Sequence, residues 1–516
     1  MRFWKNTRKV ISTFLLFFIL FLLLLILKSA NWFLENFGEV SFATVVYQLS
    51  SPMKGTASGI LNNYASACFY PSLYLSLFFI IFYTAYDLML KELVLEFDVR
   101  ICKKNLRFII GNRFRLISKS LILGLGMLIL CILVLNRAVL VGIPEYIQSI
   151  TNSSEIYETE YIDPDDVSIE FTERRNLLLI YMESMETTYA STEAGGGKPA
   201  NYIPGLTQLA NENLSFSNDD DLGGAGYYAG TTWTMAGILA SYSGVNYQLP
   251  IDGNSAGDYE NFLPGLTTMG DILEDNGYRN YFMCGSEAVF GGRADFFNQH
   301  GNFRILDYNS AIQDGIIPDD YYEFWGMEDK YLYEYAKQEL TDISAGGEPF
   351  NFTMLTADTH HPDGYVCTLC DNVYPEQYAN VIACADRQVC EFIEWVKRQD
   401  WYENTTIVIT GDHTAMKADF WDDIGDYKRK IYNCFINPPK ELSANRTTNR
   451  TFSPMDMFPT ILTAVGADIE GERLGLGTSL FSAEETLPEK LGKKVFDGEL
   501  ELYSGYYYTN FIIADE

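Results

Sequence analysis

The chain has 516 residues, 47% of them hydrophobic, and carries 37 Lys and Arg against 68 Asp and Glu, a formal net charge of −31. That length accommodates a membrane region plus one large domain with a sizeable core. The acidic balance argues against nucleic acid as a partner, because a surface of that sign repels phosphate backbones.

The amino-terminal part is apolar. Val10 to Leu27 contains no charge and only Ser12 and Thr13 as polar residues, enough to cross a hydrocarbon core of about 30 Å. Gly55 to Tyr86 is also uncharged, and from Pro71 its sequence PSLYLSLFFIIFYTAY is dense in apolar and aromatic residues; Ser120 to Asn136 is a third such stretch. The reading is three transmembrane helices at about 10–27, 68–86 and 120–140. A cleaved signal peptide is the weaker reading of the first, since LKSANWF offers no small-x-small site and two further spans follow. Arg2, Lys5, Arg8 and Lys9 precede span one, and Arg100 to Lys119 holds seven basic residues between spans two and three. The positive-inside bias puts both segments in the cytoplasm and everything after about Gly142 outside, in a multi-pass protein of the cell membrane.

Residues 1–144 are therefore the membrane region. The stretch 145–172, with its acidic core TNSSEIYETEYIDPDDVSIEFT, reads as a linker, and 173–516 as an extracytoplasmic catalytic domain. After Pro144 there are 62 acidic and 22 basic residues. Six of nine cysteines, Cys284, Cys367, Cys370, Cys384, Cys390 and Cys434, also fall there. CTLC at 367–370 has a zinc-like spacing, but an even number of cysteines in an oxidising compartment points first to disulfides, of unassigned pairing.

Beyond the linker, short apolar runs alternate with amphipathic segments. NLLLIYMES (Asn176 to Ser184), RNYFMCG (Arg279 to Gly285), NFTMLTAD (Asn351 to Asp358), TTIVITGDH (Thr405 to His413) and IYNCFINPP (Ile431 to Pro439) predict buried strands. GLTQLANEN, PGLTTMGDILEDNG, YLYEYAKQEL and YANVIACADRQVCEFIEWVKRQ predict helices between them. The fold class is α/β, with a mostly parallel sheet flanked by helices.

Three of these strands end in chemistry. The first delivers Glu183, the third Asp358, His360 and His361, and the fourth Asp412 and His413. Ligands bind at the carboxyl ends of strands in open α/β sheets, so these residues are expected to share one crevice. Carboxylates with an imidazole suit a divalent metal, and carboxylate-rich shells favour Mn2+ or Mg2+. Each residue alone is as compatible with a cap or turn acid. The stretch GTTWTMAGILASYSG, Gly230 to Gly244, adds a hydroxyl: with a helix read from Trp233 onward, Thr231 or Thr232 lies at its amino terminus, where an anion is favoured. On the residues alone, a plain N-cap threonine is the preferred reading.

Taken together, YMES, GTTWTMAGILAS, GSEAVFGGRADFF, TADTHHPDG, TGDH and SPMDMFPTILTAVG resemble, in order, the sulfatase-type branch of the alkaline phosphatase superfamily, and within it the membrane-anchored phosphoglycerol transferases. The resemblance spans about Asn176 to Gly466. It implies Glu183, Thr231, Asp412 and His413 as metal ligands for one divalent ion, Mn2+ with Mg2+ as the alternative. Thr231 is also implied as the nucleophile, because it stands 13 residues before Gly244 as the family's nucleophile does before its matching glycine. Arg293 is implied to hold the donor phosphate and His360, or less strongly His361, to lie near the phosphoglycerol oxygens. The partners implied are phosphatidylglycerol as lipid donor and an extracytoplasmic glycan as acceptor. Lipoteichoic acid synthases carry a tryptophan two residues before the arginine, where this chain has Gly291, which points away from polymer elongation. A phosphoethanolamine transferase or sulfatase of the same superfamily, or a non-catalytic glycan-binding protein, is the alternative. No C/S-x-P-x-R motif surrounds Thr231.

Overall fold

The computed structural model describes residues 2–37, 62–91, 95–101, 104–110, 112–248, 262–416, 419–439 and 446–513. The chain divides into two units, the described residues up to Pro144 and those from Glu145 onward.

The first unit holds three long helices, α1 (Arg2–Phe37), α2 (Tyr70–Lys91) and α3 (Asn112–Leu140). Three segments are long and apolar enough to cross a membrane: Val10–Glu35, Asn62–Leu90, which includes a π-helical turn at Ala65–Phe69, and Leu116–Leu140. Helix α1 continues without a break through Lys28 to Trp32, within the stretch LKSANWF that offers no small-x-small site. The helices are joined by polar contacts: Ser29 Oγ lies 2.7 Å from Tyr64 OH, Trp32 Nε1 donates to Asn63 Oδ1 (2.7 Å), and Lys119 pairs with Asp87 (2.7 Å). Between α2 and α3 the basic stretch forms an antiparallel hairpin, β1 (Leu95–Ile101) with β2 (Lys104–Ile110).

The second unit is built on a six-stranded sheet. After the short strand β3 (Ile169–Phe171) come β4 (Asn176–Met182), β5 (Arg279–Cys284), β6 (Arg304–Leu306), β7 (Phe350–Leu355), β8 (Thr405–Gly411) and β9 (Asn433–Ile436), in spatial order β6-β5-β7-β4-β8-β9. All neighbours are parallel except β8 and β9. The five expected strands are present. Three-residue β6 was missed because it is too short to show a period.

Strands β4, β7 and β8 are buried at every position, which is why they read as continuous apolar runs. Alternate residues of β4 serve opposite faces. Leu177, Leu179 and Tyr181 pack with helices α5 (Thr234–Ser243), α7 (Arg293–Gln299) and α10 (Met457–Ala464). Leu178, Ile180 and Met182 pack with α4 (Pro204–Glu212), α8 (Asp329–Ser344) and α9 (Gln377–Val396). Each such side chain contributes about 1.5–3 kcal/mol on burial. The expected helix at PGLTTMGDILEDNG is confined to α6 (Met269–Asp275), capped by Thr268 and Asp271 in a reciprocal box.

Two expectations are corrected. The stretch 145–172, read as a linker, is folded into this unit: Ile156 and Tyr157 are buried, Tyr157 OH donates to Asn246 Oδ1 (2.6 Å), and β3 pairs antiparallel with β10 (Ala467–Ile469). Its apolar residues are spaced singly among acids, so composition hid them. The six cysteines after Pro144 form no disulfides. Cys284 ends β5 and Cys434 lies on β9, with β7, β4 and β8 between them, while Cys367, Cys370 and Cys384 form an odd-numbered group.

Candidate active site

The register of the sheet builds the site. Met182 of β4 pairs with Gly411 of β8, so Glu183 and Asp412 leave adjacent parallel strands side by side, with His413 next. A donor atom from each of Glu183, Asp412 and His413 lies within 4.8 Å of the others. His413 Nε2 is 3.4 Å from Glu183 Oε1 and 3.5 Å from Asp412 Oδ2. All three side chains are buried.

The surrounding backbone fixes their directions. Ser184 N–H and His413 N–H both donate to Asp412 Oδ1 (2.8 Å each), and Ser184 Oγ donates to Glu183 Oε1 (2.6 Å). Ser184 adopts φ 54°, a left-handed conformation costly outside glycine, and its carbonyl accepts from Tyr189 OH at 2.9 Å. Thr356 Oγ1 accepts from Glu183 N, and Thr359 Oγ1 donates to Glu183 O, tying the end of β7 to that of β4. His413 Nδ1 is 2.8 Å from Thr414 O, so Nδ1 carries the proton donated there and Nε2 is left facing the carboxylates.

Charge in this cluster is strongly perturbed. Burial opposes ionisation of Glu183, but His413 and His360 together with the Ser184 hydroxyl hold it below the usual carboxylate range. Burial and the Glu183 charge raise Asp412. Burial also opposes the His413 imidazolium, yet Asp412 and Glu183 carry it up to about 9. The site thus attracts a positive charge strongly. Asp412 Oδ2 is buried and accepts no hydrogen bond. Two carboxylates, one of them with that open oxygen, and one imidazole Nε2 fit a divalent metal of the harder kind.

Besides Ser184 Oγ, a second hydroxyl at this cluster belongs to Thr234. Its Oγ1 donates to Glu183 Oε2 at 3.2 Å and lies 3.4 Å from His413 Nε2. Thr234 is the first residue of α5, where the unpaired N–H groups and the helix dipole favour an anion. The helix reaches the strand end through Gly237, where a Cβ would fall 1.9 Å from the Asp412 carbonyl oxygen. The structure thus brings Thr234 to the cluster and seats the expected Thr231 in a turn before the helix. Its side chain is 0% exposed, and its Oγ1 accepts from Tyr228 N (3.0 Å) and donates to Tyr228 O (2.9 Å), closing a turn three residues before the helix. Thr232 is half-buried, and the N-cap is Trp233 with no side-chain capping bond. The helix starts at Thr234, one residue later than the sequence predicts.

Arg293 opens α7 beyond the end of β5, its Nε donating to Phe290 O (2.9 Å) and its Nη2 to Ser286 Oγ (2.9 Å) and Glu287 O (3.1 Å). His360 follows β7, with Nδ1 2.9 Å from His361 O. Burial lowers its pKa, and it senses the charges of Glu183, His413 and Arg293, so the four share one electrostatic environment. His361 stacks beside it with ring centroids 5.0 Å apart. Trp325, missed in the sequence because it lies in an irregular stretch, packs 4.8 Å from the His360 ring and 5.3 Å from Phe290.

The sulfatase family pattern matches residues 175–467, more than half of the chain and all of these residues. The chain belongs to the sulfatase family. This sulfatase-family chain is 32% identical over 316 residues to phosphoglycerol transferase I of Escherichia coli O127:H6, a match covering 60% of the chain and 39% of that relative's length. The chain thus spans well under half of the curated relatives it matches. Among solved structures, an alkaline phosphatase superfamily protein from Vibrio parahaemolyticus is 19% identical, covering 67% of this chain and 80% of that one at a TM-score of 0.48. The lipoteichoic acid synthase LtaP of Listeria monocytogenes is 19% identical, covering 61% and 79% at a TM-score of 0.46.

Proposed function

We propose that the chain transfers glycerol phosphate from phosphatidylglycerol to a sugar hydroxyl of an extracytoplasmic glycan, through a covalent intermediate on Thr234. The observation that carries this reading is the Thr234 hydroxyl, 3.2 Å from Glu183 Oε2 at the amino terminus of α5. Relatedness to phosphoglycerol transferase I supports the head group, and three helices long and apolar enough to cross a membrane suit a lipid donor met at the bilayer surface. In this reading the protein is anchored in the cell membrane with its second unit outside.

Glu183, Asp412 and His413 would hold one divalent cation, Mn2+ or Mg2+, which when bound lowers the pKa of the Thr234 hydroxyl and offsets charge on the phosphoryl oxygens. The protein's own groups do the rest. Thr234 Oγ1 forms the new O–P bond while the bond to the diacylglycerol oxygen breaks, and diacylglycerol departs with the proton that Thr234 gave up. The first-turn N–H groups of α5 and the Arg293 guanidinium stabilise the charge on the non-bridging oxygens. His360, kept neutral by burial, is assigned the role of hydrogen-bonding the glycerol oxygens. A sugar hydroxyl then attacks phosphorus, the Thr234–P bond breaks, and the sugar's proton returns to Thr234.

Incubation of the full chain in detergent with phosphatidylglycerol and Mn2+, followed by peptide mass analysis, should place a glycerol phosphate adduct on Thr234. An adduct on Thr231, or an ethanolamine phosphate adduct from mixed lipids, would replace this reading.

A further inference from the structure

Away from the strand ends, three sulfurs converge. Cys367 and Cys370 lie in the loop after β7, and Cys384 on α9. Cys367 Sγ is 3.7 Å from Cys370 Sγ and 3.8 Å from Cys384 Sγ, and all three lie within 4.8 Å of one another. Cys367 and Cys384 are buried and Cys370 is half-buried. Four-coordinate zinc has Zn–S bonds of about 2.3 Å, so the edges of its tetrahedron are about 3.8 Å. A disulfide needs its sulfurs about 2.05 Å apart. An odd group also leaves one thiol over, and Cys390, further along α9, packs against Gly205 instead.

Hydrogen-bond donors are aimed at two of the sulfurs. Leu369 N–H donates to Cys367 Sγ (3.4 Å), the turn closing as Cys370 N–H donates to Cys367 O (3.1 Å). Gln388 Nε2 donates to Cys384 Sγ (3.5 Å), with Arg387 Nη2 3.8 Å away. Lys330 Nζ, bonded to Thr368 Oγ1 (3.2 Å), pairs with Glu328 (2.7 Å) beside the loop. Donors aimed at sulfur stabilise a charged ligand, as they do around thiolate-bound metals.

We propose that Cys367, Cys370 and Cys384 form a second metal centre, a three-thiolate zinc site whose fourth ligand is water on the open side at Cys370. Binding releases three thiol protons and leaves a complex of net charge −1. Its role is to staple the loop that carries His360 and His361 to α9. This centre stands apart from the transfer chemistry and does not depend on it.

The test uses the full chain in detergent, purified without reductant. Elemental analysis should show about one equivalent of zinc lost in Cys384→Ala and none in Cys390→Ala. Cobalt loaded in place of zinc should give sulfur-to-metal charge-transfer absorption, which Glu183→Gln retains and Cys384→Ala abolishes. A disulfide joining any two of the three cysteines, found by alkylation and peptide mapping, would overturn the proposal, as would unchanged zinc in Cys384→Ala. If Cys384→Ala does not fold, the wild-type cobalt spectrum decides: absence of the charge-transfer band overturns the site.

Discussion

The cluster of Glu183, Asp412 and His413 draws its donors from two strands far apart in sequence, brought together only because β4 and β8 are neighbours in the sheet. Cys367, Cys370 and Cys384 come instead from one loop and the helix that follows it. The first set has oxygen donors and one imidazole, and the Thr234 hydroxyl beside it; the second has sulfur donors packed against a helix. A site assembled by the sheet has its geometry set by the whole core. A site assembled locally can organise a loop by itself. The same fold thus separates hard-donor chemistry from soft-donor stapling.

The strongest way to break this comparison is at the hydroxyl. Thr234→Ala should lower transfer at least about a thousandfold while leaving metal content unchanged, because it removes the bond-forming atom and none of the charged donors. Thr231→Ala should keep turnover within about tenfold and instead cost about 1–2 kcal/mol, the loss of a buried turn closed by its hydroxyl. Paired measurement of turnover and thermal unfolding separates them; inactivity of Thr231→Ala at full stability would return the nucleophile to that residue.

Metal removal tests the chemical division. Brief treatment with EDTA should abolish transfer, and Mn2+ should restore most of it, while the cobalt–thiolate absorption of a protein loaded at the cysteines persists. Loss of both signals together would mean one metal pool and not two. A smaller effect is expected from Gly237→Ala. Its methyl group would meet the Asp412 carbonyl oxygen, pushing α5 away from β8 at a cost of about 1–3 kcal/mol and weakening metal binding at the carboxylates without touching zinc at the cysteines.

The difference in assembly also explains what could be read in advance. Strands β4, β7 and β8 were legible because burial on both faces demands unbroken apolar runs, and Glu183, Asp412 and His413 were legible because each follows such a run. Thr234 was not, since one residue's shift in a helix start exchanges a side chain at the crevice for one in a turn, and no periodicity resolves that. Trp325 enters from an irregular stretch and reaches His360 only in three dimensions. The cysteines were visible, but their count suggested pairs; only the fold shows that three meet and the others lie elsewhere.

The smallest predicted effect concerns the loop between the two regions. Thr359 bonds Glu183 O, and Cys367 lies further along the same loop. Just before Thr359, Asp358 and Asp329 of α8 hold each other: Asp358 Oδ1 accepts from Asp329 N (3.1 Å), and Asp329 accepts from Ala357 N (2.7 Å) and Asp358 N (3.2 Å). Burial pushes Asp329 up to about 7 and raises Asp358 as well. In the unfolded chain such carboxyls ionise near about 3.9. The folded protein therefore keeps protons that the unfolded chain has lost, so this contribution to stability is complete below about pH 4 and falls away as pH rises to about 7. Asp358→Asn, which retains an acceptor without the charge, should flatten the decline in melting temperature between pH 5 and pH 7.5. Zinc content and transfer activity should both remain near wild type, since the pair holds the loop's backbone and supplies neither cluster with a donor. A pH profile that stays steep in Asp358→Asn would remove the pair as its source. Zinc lost from the cysteines in the same variant would instead show that the loop couples the two sites.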